Sequence, residues 1–368
     1  MRIDRAALSD LARGAAFLGS GGGGDPYYGL LLAEAAFQRT GGFDLIAPAD
    51  LSDDALVVPC GWIGAPTVSV EKLPNGGETV AGLRRIEQIM GRRIDAVLPV
   101  EIGGGNGLAP FVAAAELGVP VVDCDGMGRA FPESQMVIFN IRGLSACPSV
   151  LTAACGSLAV IETDNNLTHE RIARGLSVAL GGIAHMVEYP LTGAQAKRDS
   201  IPGSVSAAIA IGAAIRTARA ERRDPFDALA TALRATGLYP HCLTLFDGKI
   251  TDLERETRGG FSVGKVIIDG FGASGGRMEV LFQNENLQAT LDGRVLAMVP
   301  DLITIMDRET ADTITTERLK YGQRVKVIAA SAPSMLREPA ALALVGPAAF
   351  GLGPDFTPIE TLNQIEGA

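Results

Sequence analysis

Histidine and cysteine are scarce and scattered in this sequence, and their spacing closes off several chemistries. The three histidines, His169, His185 and His241, form no HxH or HExxH pattern, which disfavours a histidine-rich zinc centre. A mixed site of Asp, Cys and one His stays open, so a divalent metal remains a cofactor to be tested. The five cysteines, Cys60, Cys124, Cys147, Cys155 and Cys242, stand singly with no CxxC pair, which suits a reducing compartment better than a disulfide framework. No Lys/Arg-rich run accompanies the formal charge of −10, and without clustered positive charge a nucleic-acid partner is not expected. Every apolar stretch is broken by Gly, Pro or charge well before about 18 residues, so no membrane span is expected. The opening MRIDRAALSDLARG lacks the apolar centre of a signal peptide, and a cytoplasmic location is the expectation. No repeat of fixed period occurs.

What is present is a long, apolar, Gly-rich chain. At 368 residues it exceeds the size at which one core usually keeps growing, so two domains are expected. Up to residue 165 the text alternates. FDLIAP, ALVVPCGW, IDAVLPV and VPVVDCD read as strands, while Leu30 to Phe37, GETVAGLRRIEQIMG and LAPFVAAAELG read as helices. Ser9 is a candidate cap for a helix before them. This alternation predicts an α/β domain, 1–165, with a parallel or mixed sheet covered by helices and a site at loops beyond the strands' carboxyl ends. Residues 166–368 read as a helical segment followed by a β-rich C-terminal domain. SVSAAIAIGAAIRTARAERRDPFDALATALRATG breaks into two helices at Pro225, and several short strands follow Gly237. The Ala-rich helix near residues 205–220 offers a subunit interface for a homo-oligomer, an explanation that core packing matches.

Three glycine-acid loops gather the chemistry-bearing residues. The run Gly19-Ser20-Gly21-Gly22-Gly23-Gly24, followed by Asp25, fits GxGxxG at Gly19, Gly21 and Gly24. A glycine tract fits any glycine pattern, Asp44 is only a fair ribose partner, and no Walker lysine follows, so a nucleotide is not the expected cofactor. The loop does offer backbone N–H groups for an anion or oxyanion. VEIGGGNG (100–107) brings Glu101 and Asn106, and VVDCDGMGRAFPES (121–134) brings Asp123, Asp125, Arg129 and Glu133. One Asp-Gly loop is ordinarily a turn former. Three at successive strand ends predict one rim carrying a base for water and donors for an oxyanion. GAPTVSVEKLP (64–74) adds Glu71 and Lys72, which taken alone read as a solvated pair. Cys60 at a strand end and Cys155 in TAACGS are candidate nucleophiles, against the commoner fate of buried packing. His169, at a helix N-terminus, is expected to be exposed.

The order GSGGGGDP, GAPTVSVEKLP, EIGGGN and VVDCDGMGRAFPES, with the later GKITDLERETRGGFSVG and PDLITIMDRET, resembles the S-methyl thiohydantoin desulfurase family over nearly the whole chain. The resemblance implies a hydrolase that attacks C2 of a 2-thiohydantoin and releases hydrogen sulfide. It points to 3-(5-oxo-2-thioxoimidazolidin-4-yl)propionate, of ergothioneine breakdown, or a close relative. In that reading Glu101, Asp123 or Asp125 is the base, with a Cys60 or Cys155 thiolate as the competing nucleophile. Gly22, Gly23, Gly24, Asp25, Glu71, Lys72, Asn106, Arg129 and Glu133 hold a small heterocyclic substrate, Arg129 or Lys72 taking its acidic arm. Two other classes stay open: an accessory subunit of a hydantoinase or oxoprolinase-type enzyme, and a dinucleotide-binding enzyme.

Overall fold

The computed structural model describes residues 1–65, 68, 71–271 and 275–365; part of the 64–74 segment, Pro66 included, therefore lies outside the described residues. The first helix, Arg5–Leu18, is capped by Asp4, whose carboxylate accepts the Ala7 N–H at 2.8 Å. Ser9, the expected cap, sits one turn inside and donates to the Arg5 carbonyl instead. The next helix, Pro26–Thr40, starts on Asp25 and stops at Gly41, a left-handed C-cap with φ 71°. Glycine takes that conformation without Cβ strain.

Nine strands form the first sheet. Its spine is Arg2–Ile3, Phe43–Ile46, Val121–Val122, Ala96–Pro99, Leu56–Gly64, Ile183–Val187, Ser149–Thr152 and Leu158–Ile161, in that spatial order, with Leu191–Thr192 also pairing to Leu56–Gly64. Phe43–Ile46 through Leu56–Gly64 run parallel, and Leu56–Gly64 meets Ile183–Val187 antiparallel. The sheet is thus mixed, one of the two forms the alternation left open, and it draws strands from beyond residue 165. Leu56–Gly64 lies near its middle, and its LVVPC run is wholly buried, as expected for a strand covered on both faces.

Helices Ser204–Ala220 and Pro225–Ala235 divide at residues 221–224, where Pro225 was expected to break them. The first of them lies against Arg5–Leu18 at glycine contacts: a Cβ on Gly14 would stand 1.8 Å from the Ala208 carbonyl oxygen, and one on Gly212 would stand 1.9 Å from that of Asp10. Small residues let the helix axes approach, so much of the Ala-rich face is core. The C-terminal part is a seven-stranded antiparallel sheet, Arg294–Met298, Glu285–Leu291, Arg277–Gln283, Phe261–Gly270, Cys242–Arg258, Arg324–Ala330 and Leu302–Asp307 in spatial order. Register shifts in Cys242–Arg258 let this sheet curl around its own apolar cluster.

The C-terminal sheet is bolted to the first glycine loop. The Ser20 hydroxyl donates to the Ile303 carbonyl at 2.8 Å and accepts its N–H at 2.9 Å, while Asn286 N–H donates to the Ser20 carbonyl and Thr316 N–H to that of Gly21. No helix among the described residues is long and apolar enough to cross a membrane.

Candidate active site

Glycine is needed in the first two loops because their backbones touch. A Cβ on Gly23 would lie 2.4 Å from the Gly103 carbonyl oxygen, and one on Gly103 would lie 2.7 Å from the Ala130 nitrogen, distances no side chain can occupy. Gly105 N–H donates to the carbonyls of Gly23 and Gly24 at 2.9 and 3.0 Å. Asp125 ties the second loop to the third, one carboxylate oxygen accepting the N–H groups of Ile102, Met127 and Gly128 at 2.8, 3.1 and 2.7 Å.

Above this stack, between the two sheets, opens a cavity with about 630 Å³ of empty space, its open mouth included. Trp62, Asn106, Phe131, Ser134, Arg174 and three buried glutamates, Glu101, Glu188 and Glu285, are among its lining. Each glutamate comes from a different element: Glu101 beyond the Ala96–Pro99 strand, Glu188 beyond Ile183–Val187, and Glu285 at the head of Glu285–Leu291. Asn106 bridges two walls, donating to Glu101 and accepting the Trp62 N–H at 2.6 Å. The other Glu101 oxygen accepts the Phe131 N–H at 3.1 Å.

Three buried carboxyls lining one cavity oppose one another's ionisation. Burial, reinforced by the nearby Glu285 charge, pushes Glu101 well above the ordinary carboxylate range, and burial raises Glu285 to about 8 against the opposing pull of the Arg129 charge. Both Glu101 oxygens accept N–H donors, which favour its charged form. Glu285 accepts the Gly23 N–H, at 3.1 Å, on one oxygen, and the other has no partner. Burial also raises Glu188, with Glu170 and Glu101 adding repulsion. Buried atoms without a hydrogen-bond partner include Trp62 Nε1, Ser134 Oγ, Glu188 Oε2 and Glu285 Oε2, all on residues of this lining. Buried polar groups are normally satisfied, so Trp62 Nε1, Ser134 Oγ and Glu285 Oε2 leave hydrogen bonds for water or a polar guest to complete, while Glu188 Oε2 lies 3.9 Å from His169 Nδ1.

Of the residues singled out in the sequence, the cavity gathers Glu101, Asn106, Gly23 and Gly24. Gly22 lies beneath it, where a Cβ would stand 1.9 Å from Glu285 Oε1. The others serve elsewhere. Asp123 accepts the Ser206 N–H at 2.9 Å, near the start of helix Ser204–Ala220, and Asp125, raised to about 6 by burial, is the loop clamp. Asp25 caps its helix and pairs with Arg318. Arg129 is fully buried, donating to the carbonyls of Ala130, Pro300 and Asp301. Glu133 accepts from Gln135, Glu71 is exposed, and Lys72 donates to the Leu180 carbonyl and lines a separate cavity with His185. Cys60 is buried in the central strand, its thiol pushed up by burial. Cys155 is exposed, outside the cavity lining, its thiol lowered by the Ser157 hydroxyl. His169, expected at the surface, is fully buried, because its helix lays that face on the sheet. Among the described residues no three His, Cys, Asp or Glu side chains assemble as a metal-holding group.

Trp62, Arg174, Glu188 and Glu285 were not singled out in the sequence. Arg174 is the one cation among the described lining residues, held by Glu170 at 2.7 Å and the Pro132 carbonyl, with Phe261 stacked 4.4 Å from its guanidinium carbon. The polar QNEN between two apolar strands was a signal for Glu285, and Glu188 announced itself only as a carboxylate ending a buried strand.

Two family descriptions match the chain: "S-Me-THD-like, N-terminal domain" over residues 6–163 and "S-Me-THD-like, C-terminal domain" over residues 163–359. No curated protein matches it. A crystal structure of a protein from Chromobacterium violaceum is similar in fold, with a TM-score of 0.80 and 24% identity, covering 98% of this chain and 100% of that one.

Proposed function

The chain belongs to the S-methyl thiohydantoin desulfurase (S-Me-THD-like) family across both domains, and from that premise we propose that it hydrolyses a 2-thiohydantoin ring to the hydantoin with release of hydrogen sulfide. The observation carrying this reading is the set of unpartnered buried donor and acceptor atoms around one cavity. A thiohydantoin offers two ring N–H donors with a carbonyl and a thiocarbonyl acceptor, a complement to that mixed set.

C2 of the ring is a thiourea-like carbon. Ionised Glu101 takes a proton from water as the oxygen bonds to C2, and the C=S pair moves onto sulfur. Protonated Glu285 delivers its proton to that sulfur, and the C–S bond breaks as the C=O forms. Two carboxyls driven to opposite protonation states supply base and acid at one pH. Arg174, not Arg129 or Lys72, takes an acidic ring substituent, since it is the cation among the described lining residues. The favoured substrate is therefore 3-(5-oxo-2-thioxoimidazolidin-4-yl)propionate or a close relative.

Sulfide release by the purified chain from 2-thiohydantoins bearing propionate, methyl or no substituent tests this, with and without chelator. The propionate compound is expected to have the lowest KM, a preference that Arg174→Lys reduces about tenfold through loss of the planar fork. Glu101→Gln is expected to lower kcat by about a hundredfold or more. No sulfide from any of the three would overturn the reading and favour an accessory subunit.

A further inference from the structure

We propose that Glu188, His169 and Ser149 form a proton relay out of the cavity, Glu188 being a further catalytic residue and His169 and Ser149 positioning residues behind it. Val150 opposes Val187 in the antiparallel pair of strands Ser149–Thr152 and Ile183–Val187, so Ser149 and Glu188 are neighbours one step further on. His169, from helix Asn166–Ala179, closes the line. Its Nε2 lies 2.6 Å from Ser149 Oγ and its Nδ1 lies 3.9 Å from Glu188 Oε2. All three side chains are essentially inaccessible, and both His169 Nδ1 and Glu188 Oε2 lack a hydrogen-bond partner. A buried donor and acceptor facing each other across 3.9 Å, otherwise unsatisfied, need only a small closure to bond. Of the three, Glu188 lines the cavity.

The need for a relay follows from the proposed hydrolysis, on which this role rests. Water brings two protons. Glu101 takes the first during attack, and the second stays on the hydroxyl of the tetrahedral intermediate until the carbonyl forms. Glu285, a carboxylate once it has protonated sulfur, takes the second as the O–H pair becomes the carbonyl and hydrosulfide leaves. Both acids then carry a proton, and Glu101 must shed one before the next turnover; Glu188 is the third carboxyl among the described lining residues. As Glu101 resets, its proton passes to one Glu188 oxygen and the proton already on Glu188 passes to His169 Nδ1, the transient imidazolium balancing the departing hydrosulfide. His169 must start neutral with its proton on Nε2, donated to Ser149 Oγ. Burial lowers its pKa to about 4, which keeps the ring neutral, and the raised Glu188 keeps its own proton. The groups facing Glu188 are Glu101, Glu170, Arg174, Cys147 and Tyr189; those facing His169 are Glu188 and Ser149.

Nitrogen-15 NMR of the histidine-labelled chain tests the relay without any substrate. The expected spectrum has His169 as the Nε2–H tautomer, neutral from pH 5 to 8, with an Nδ1 resonance that moves in Glu188→Ala. An Nδ1–H tautomer, or a His169 indifferent to Glu188→Ala, would overturn the proposal whatever the activity. In the sulfide assay His169→Gln is expected to lower kcat about a hundredfold with KM within twofold and an altered pH profile, and Ser149→Ala to lower kcat less. A His169→Gln variant within threefold of the parent kcat would also overturn it. Failure of every thiohydantoin would sink the hydrolase reading while the tautomer still decides the relay.

Discussion

A single methyl group at Gly22 tests the carboxyl pair without touching either glutamate. Gly22 is the one glycine of its run whose added Cβ would collide chiefly with the Glu285 side chain, standing 1.9 Å from Oε1 and 2.5 Å from Cδ. It is not among the positive-φ positions, so its backbone accepts alanine. Restoring an ordinary contact of about 3.5 Å requires the carboxyl to retreat by roughly 1.5 Å, since the obstacle is a movable side chain. That retreat gives up the Gly23 N–H bond at 3.1 Å and carries the acid away from the leaving sulfur. Misplacement on this scale costs about a hundredfold in rate, and the overpacking costs about 1–3 kcal/mol of stability. Gly22→Ala is therefore expected to fold, melt a few degrees lower, and lose kcat about a hundredfold on the best thiohydantoin. Gly103→Ala is the contrast, because its Cβ would meet the Ala130 nitrogen and the Gly19 Cα at 2.7 and 2.8 Å, backbone that cannot swing aside; little folded protein is expected. Sulfide release beside a thermal melt reads both variants. A folded Gly22→Ala with parental kcat would refute the role given to Glu285.

The raised pKa of Glu285 also fixes a stability slope. A group whose pKa climbs from 4.5 to about 8 on folding holds its proton more tightly in the native state, so its contribution is full below pH 4.5 and is lost as pH rises toward 8. At 1.36 kcal/mol per unit this amounts to no more than a few kcal/mol. Denaturant unfolding at pH 5, 6.5 and 8 is expected to show falling stability, with a shallower slope in Glu285→Gln; equal slopes would contradict the assignment. Thiol alkylation separates the carboxyl mechanism from a cysteine nucleophile: iodoacetamide is expected to modify exposed Cys155 and spare buried Cys60 with activity retained, and stoichiometric inactivation would restore the thiolate route.

The sequence by itself determined a parallel or mixed sheet covered by helices, the break near Pro225, the β-rich second half, and the glycine loops whose backbones touch. These are local properties: apolar periodicity selects an element, and close backbone approach can be met only by glycine. Glu101 and Asn106 were readable because they sit within such a loop. The tertiary structure alone decided which acids face one another. Glu285 reaches the Gly23 N–H from 262 residues away, and Glu188 joins it through a strand inserted into the first sheet from beyond residue 165. The same long-range packing buried Arg129 and His169, turned Asp123 and Asp125 into structural acceptors, and gave the cavity Arg174 as its cation. Burial and the company of other charges set a carboxyl's protonation, and neither exists until distant segments have met.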